Sequence, residues 1–225
     1  MKRKLLILFI ALLAIACNGQ QSQKENVKPL TEQEALKAFK KQKHRFEIKG
    51  YKIYYNDQLM KLDSVTHFTK RMGKPSFEEG TDIVWNTLPI WGRCYSTMER
   101  FFIYFRPYAE GREELSDLRP FYYAVKRMPV IDGYMLVEGH PIHKDTTPKE
   151  LSEMLKPIYG EHFVNLMGTP TIVFELKEDE IKEIIPHWGA DKSYKNIFIS
   201  FDYLIDEQTK KVIGLKSVDY SYFLL

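Results

Sequence analysis

The sequence predicts an α+β fold made of two tandem repeats, each an antiparallel sheet with short helices on one face. Three observations lead there. Residues 82–92, DIVWNTLPIWG, return in longer form at residues 171–189 as TIVFELKEDEIKEIIPHWG. Strand-like and helix-like stretches recur in the same order on either side of the middle of the chain, which points to helices packed on antiparallel sheet. With 44% hydrophobic and 14% aromatic residues, the chain can build a substantial core. Four segments follow: a signal at 1–16, a modified cysteine and tether at 17–30, and repeats at 31–128 and 129–225.

Residues 1–17 read MKRKLLILFIALLAIAC. Three basic residues precede an apolar run and then small residues, the layout of a secretory signal; the run is too short to span a membrane comfortably. The ending Ala14-Ile15-Ala16-Cys17 resembles the bacterial lipobox. That resemblance implies cleavage before Cys17, acylation of its thiol, and a membrane as partner through the lipid anchor. The alternative is an ordinary signal, or an uncleaved anchor, with a free cysteine. Asn18 resembles the residue that, in two-membrane bacteria, permits sorting to the outer membrane. The polar stretch that follows, NGQQSQKENVKP, cannot fold alone and suits a tether. Lys2, Arg3 and Lys4 account for the formal charge of +3, so the mature chain is neutral and carries no general nucleic-acid footprint. With Cys17 modified, Cys94 has no partner for an intramolecular disulfide.

Within the first repeat, Thr31-Glu32-Gln33-Glu34 is a capping-box pattern opening a helix from Glu32 to about Lys43. Residues 46–62 read as a hairpin turning at Asn56-Asp57. A short helix follows at 64–72, with Val65, Phe68 and Met72 at core spacing, stopped by Gly73 and Pro75. Glu78-Glu79-Gly80 turns into the strand of Ile83, Val84 and Trp85. FFIYF at 101–105 is an apolar strand, 108–119 a charged loop, and 120–130 another strand.

The order then repeats. Ile131-Asp132-Gly133-Tyr134 answers Ile48-Lys49-Gly50-Tyr51. At the same offset Thr147, Leu151 and Leu155 answer Ser64, Phe68 and Met72. Thr147-Pro148-Lys149-Glu150 is a capping box with Pro at the first helical position, and Pro157 is expected to end that helix. Further on, Ile172-Val173-Phe174 answers Ile83-Val84-Trp85, Pro186-His187-Trp188-Gly189 answers Pro89-Ile90-Trp91-Gly92, and Ile199 and Phe201 answer Ile103 and Phe105. The acidic insert at 175–183, with Ile181, Ile184 and Ile185 at helical spacing, predicts an added helix over the sheet edge or a contact surface. Residues 197–222 form a hairpin around EQTK, whose second arm alternates Val218, Tyr220 and Tyr222 against Asp219 and Ser221 like a half-buried strand.

A helix ending Met72-Gly73-Lys74-Pro75, followed by a strand bearing Trp85, resembles the SmpA/OmlA module of outer-membrane lipoproteins. The tandem form is similar to the beta-lactamase inhibitor protein architecture, and also to small envelope lipoproteins of uncharacterised function. The likeness covers residues 45–105 and, more loosely, 129–222. It implies a binding or assembly role and brings no catalytic residues.

Candidate chemistry is sparse. His140 and His143 lie close together, but Pro141 and the repeat place them in a turn opposite Asp57 and Met60 with no third ligand, so no metal site is expected. Cys94 beside Arg93 reads as a strand cysteine and lacks a nucleophile motif. Gly-x-Ser-x-Gly and the nucleotide-binding glycine patterns are missing. The acidic runs Glu78-Glu79, Glu113-Glu114 and Glu178-Asp179-Glu180 read as solvated loops. No cofactor and no catalytic residue is expected. Trp91 and Trp188 are the binding candidates, either as a matched aromatic platform or as core of each repeat. The resulting expectation is a membrane-anchored, non-enzymatic module that binds another protein as assembly factor, inhibitor or immunity-type protein. The alternatives are an envelope hydrolase with a pocket between the repeats and a small-ligand or glycan binder using exposed aromatics. Replacing Cys17 by Ser should move the protein from the carbonate-washed membrane fraction to the soluble fraction; a variant that still resists that wash would refute acylation as the anchor.

Overall fold

The computed structural model describes residues 30–62, 65–94, 98–110, 120–186 and 196–223. Cys17, its tether and Trp188 lie outside them. Glu32–Leu225 forms one compact unit.

The first helix, α1 (Glu32–Lys41), has acids in its first turn and lysines in its last, matching the helix dipole, and buries Ala35 and Phe39. Three short strands follow: β1 (Phe46–Lys49), β2 (Lys52–Tyr55) and β3 (Gln58–Leu59). The predicted hairpin therefore has two turns. Gly50 and Tyr51 close β1 on β2, and Asn56 and Asp57, both with positive φ, close β2 on β3. The Asn56 side chain fixes its turn by accepting from the Arg45 amide at 3.0 Å. Helix α2 (Val65–Met72) buries Phe68 and Met72 as its spacing predicts. It leads into a four-stranded meander of β4 (Phe77–Glu79), β5 (Asp82–Trp85), β6 (Ile90–Cys94) and β7 (Met98–Tyr104). Glu78 and Glu79, expected in a turn, are strand residues paired with β5.

Residues 120–130 were expected as a strand, yet Pro120–Lys126 is a helix, α3. Pro120 is its first residue, where a missing N–H costs nothing. Its aromatic residues, which favour strand locally, are drawn onto a waiting aromatic surface: Phe121 packs edge-on against Trp91 at 5.2 Å.

In the second half β8 (Met135–Val137) and β9 (His140–Ile142) precede α4 (Pro148–Tyr159). The Thr147–Glu150 capping box is complete in both directions. Pro157 does not end this helix; it lies inside the last turn, and the chain leaves at Gly160 with φ 55°. A second meander follows: β10 (Phe163–Leu166), β11 (Thr169–Glu175), β12 (Asn196–Ile205) and β13 (Val212–Phe223), with α5 (Glu178–Ile184) between β11 and β12. Helix α5 is the predicted acidic insert. It buries Ile181 and Ile184, and the Ile184 carbonyl accepts from the Leu62 amide at 2.7 Å.

Both halves contribute to both sheets. One sheet runs β3-β2-β1-β8-β9, antiparallel except for the parallel contact of β1 with β8. The other has eight strands, β10-β11-β12-β13-β7-β6-β5-β4, so the two meanders meet where β13 pairs with β7. Ile103 belongs to the fourth strand of its meander, whereas Ile199 and Phe201 belong to the third of theirs, so this sequence match pairs strands at different positions. The match of Ile172 with Ile83 holds: both sit on the second strand of a meander and both are buried.

One hydrophobic core includes residues from both sheets together with α2, α4 and α5. Trp85 is fully buried in it, and its Nε1 donates to the Gly73 carbonyl at 2.8 Å. That bond ties the end of α2 to the second meander strand, a physical reason for the helix–Gly–Lys–Pro stretch and the strand tryptophan to occur together. Tyr220 lies between the sheets, stacked on Phe101 at 5.1 Å, with its hydroxyl donating to the Tyr51 carbonyl.

At one end of the eight-stranded sheet, Gly214 passes so close to the segment before α4 that an added Cβ would stand 2.3 Å from the Lys144 carbonyl oxygen and 2.6 Å from an Arg106 nitrogen. Arg106 there bridges Glu110 at 3.0 Å and Asp145 at 3.1 Å. Gly214→Ala should therefore lower unfolding stability by about 1–3 kcal/mol, the usual cost of forcing extra atoms into a packed site. Urea denaturation checks this; an unchanged midpoint would mean that the approach is not tight.

Candidate functional site

The pleat of the eight-stranded sheet sorts its residues onto two faces. The inner face carries Ile172, Ile199, Tyr220, Phe101 and Ile83 and belongs to the main core. The outer face has a different character. Following the register across seven strand pairings gives one row: Val164, Thr171, Ser200, Asp219, Phe102, Trp91, Val84 and Phe77. One half of the row is polar and the other mostly aromatic.

Helix α3 covers the aromatic half. Trp91 stacks on Phe102 at 4.3 Å, and its Nε1 donates to the Tyr104 hydroxyl at 3.3 Å. Only 7% of Trp91 is exposed, and Val84, Tyr104, Ala124 and Val125 complete this smaller core. Trp91 thus packs a helix onto the sheet, and with Trp188 outside the described residues the two tryptophans are not seen as a pair.

The polar half is the candidate site. Its floor consists of Thr171, Ser217, Asp219 and Ser221, all buried. Of the half-buried character expected of β13, the apolar side holds, with Val218 and Tyr220 buried; the polar side does not, because Ser217, Asp219 and Ser221 are covered as well. The Thr171 and Ser200 hydroxyls lie 3.1 Å apart. Arg100, on β7, reaches across to Asp219 on β13. Its Nε lies 2.9 and 3.0 Å from the two carboxylate oxygens, and its Nη2 also donates to Oδ2. The same guanidinium sits 4.5 Å from the Phe102 ring centroid, at the border of the two halves. On β12, Asp202 accepts from the Ser217 hydroxyl at 3.4 Å.

Burial dominates the electrostatics. Desolvation pushes the Asp219 carboxyl up to about 6, against the opposing pull of Arg100, with the Asp202 charge adding to the rise. Asp202 is raised as well, first by desolvation, while Arg100, Ser217 and Lys216 hold it back. Two carboxylates and one guanidinium therefore share a poorly hydrated patch of sheet. Arg100 keeps 33% of its side chain exposed against 6% for Asp219, so an incoming polar group would meet the guanidinium first.

The other sequence candidates are not brought together. His140 begins β9 rather than lying in a turn, with Nδ1 3.2 Å from a Glu32 oxygen. His143 Nδ1 accepts from the Asp145 amide at 3.1 Å, and desolvation holds its pKa below the usual histidine value. Among the described residues no three His, Cys, Asp or Glu side chains converge as metal ligands. Cys94 is buried at the end of β6. A groove of about 350 Å³ does lie between segments of the two halves, lined by His44, Pro89, Pro129, Val130 and Ile131 among others. Its imidazole is hydrogen-bonded through Nδ1 to the Tyr55 hydroxyl at 2.7 Å, and neither His140 nor His143 lines it.

Sequence reading missed Arg100, Asp202, Asp219 and the hydroxyl floor. The available signal was the alternation Ser217, Asp219, Ser221, which reads equally well as a wet strand face. The chain matches no protein-family model, no curated protein and no solved structure.

The raised Asp219 pKa fixes the sign of a pH effect. A carboxyl titrating higher in the folded chain than in the unfolded one contributes stability that is complete below about pH 3.8. That contribution is lost as pH rises through about 6. Asp219→Asn removes this titration. Its unfolding free energy relative to the native chain should therefore rise by about 1 kcal/mol or more between pH 4 and pH 7. Thermal melts across that range test it; a difference moving the other way would mean that the Arg100 pairing outweighs burial.

Proposed function

We propose that this protein is a membrane-anchored envelope lipoprotein, held through Cys17 and sorted to the outer membrane. Its α+β body acts as a non-enzymatic protein-binding module, and the outer face of the eight-stranded sheet is the contact surface. The shared order of elements in the two halves supports an origin by duplication.

The observation that carries the binding assignment is the Arg100–Asp219 pair on its hydroxyl floor. The inner face already supplies the apolar burial that holds the sheet to the core. A desolvated carboxylate and four small polar residues on the opposite face add nothing to that burial, and ionised Asp219 works against stability. Polar groups that are costly to bury and unnecessary for the core are expected where a surface is prepared for a partner. Interfaces favour arginine and tyrosine, and the floor is edged by Arg100, a third of whose side chain is exposed.

A photo-crosslinking amino acid placed at Arg93 or Ser200 on the outer face should give one discrete protein adduct in intact cells. The same group at Glu153, on the exposed side of α4, should give none. Equal labelling from all three positions, or none from the outer face, would remove this surface from consideration.

A further inference from the structure

Two hairpin turns project from one end of the eight-stranded sheet. Leu166 pairs with Thr169 around the two-residue turn Met167-Gly168. Beside it, β12 and β13 run on past their last rungs with β11 (Thr171 with Ser200) and β7 (Tyr104 with Ser217), and Ile205 pairs with Val212 near the tip. Both turns therefore point the same way.

Met167 breaks two local rules at once. It is fully exposed, and it occupies the first central position of its turn with φ 50°, a place suited to Asn, Asp or Gly. A flexible apolar side chain there contributes nothing to the core and carries the backbone cost of the left-handed region. Four further apolar residues beside the tips, Leu166, Ile205, Val212 and Ile213, are also exposed. Lys210 and Lys211 immediately precede Val212. Of the two acids in that tip, Asp206 is engaged within the turn, accepting from the Gln208 and Thr209 amides, and Glu207 is exposed.

We propose that this end of the molecule is a membrane contact, with Met167 and Ile213 entering the interface of a lipid surface. This rests on the lipid-anchor reading above. One tip ends in Met167, and the other carries Ile205, Val212 and Ile213 at its base beside Lys210 and Lys211; separate tips of this kind fit a deformable headgroup layer, where apolar burial and attraction to anionic lipid add together. A protein partner would need a continuous complementary surface instead. The thirteen residues 18–30 span at most about 45 Å. An acylated Cys17 thus keeps the body beside the bilayer, where even weak insertion becomes effectively intramolecular.

The test uses the chain from Asn18 onward, without acyl groups, because Glu32–Leu225 is compact by itself. It is floated with vesicles of phosphatidylethanolamine and phosphatidylglycerol, and separately with phosphatidylcholine. The expected result is co-flotation, strongest with the anionic vesicles. The double variant Met167→Glu, Ile213→Glu should lose it about tenfold or more with an unchanged melting temperature. Failure of the native chain to float with either vesicle, or flotation retained by the variant, would overturn the proposal. So would a sedimentation shift showing that the variant only breaks a dimer. Because this chain carries no lipid, these outcomes are independent of whether Cys17 is acylated in cells.

Discussion

The pairing of β7 with β13 holds the eight-stranded sheet together. It joins two meanders whose strands are otherwise each paired with a sequence neighbour, and it spans more than a hundred residues of chain. Such a long-range contact closes a large loop and must be repaid locally. The inner side repays it through Phe101 stacked on fully buried Tyr220, an aromatic contact worth about 0.5–1.5 kcal/mol beyond its buried area. The Tyr220 hydroxyl continues to the Tyr51 carbonyl in the turn that closes β1 on β2, so the same residue ties the eight-stranded sheet to a turn of the five-stranded one. On the outer side the same two strands carry Arg100 and Asp219.

The two sides of that rung differ in what they contribute. Phe101 and Tyr220 gain from burial, whereas Asp219 is strained by it, as its raised pKa records. The remaining outer-face polar residues follow from its position at the centre of the sheet: small hydroxyls at Ser217 and Ser221 flank it along β13, and Ser200 and Phe102 stand across from it. Helix α3 resolves the aromatic half of the face by covering it.

The sequence showed the pieces more clearly than their arrangement. Apolar spacing at Phe68, Met72, Leu151 and Leu155 located two helices, and the Thr147 capping box fixed where the second begins, because these signals act within a turn or two of chain. The same local reasoning failed at 120–130, where aromatic and β-branched residues favour strand until an aromatic sheet face is available to receive a helix. It failed again at Pro157, which loses one hydrogen bond in a final turn held down by Leu155 and Tyr159. The Ile103–Ile199 match misled because apolar strands resemble one another whatever their position in a meander. Nothing local distinguished Asp219 from an ordinary exposed strand acid, since its partner Arg100 lies on a distant strand.

By itself the sequence determined the α+β class, the capped helix and the acidic insert that becomes α5. Each depends on residues close together in the chain, where periodicity, capping and turn chemistry operate. Only the tertiary structure decided that both halves share both sheets, that Trp91 is packing beneath α3, that Arg100 and Asp219 meet, and that Met167 and Ile213 stand at one end. Those outcomes depend on strand register between distant segments, and register is set by the fit of whole faces to one another rather than by any single stretch of residues.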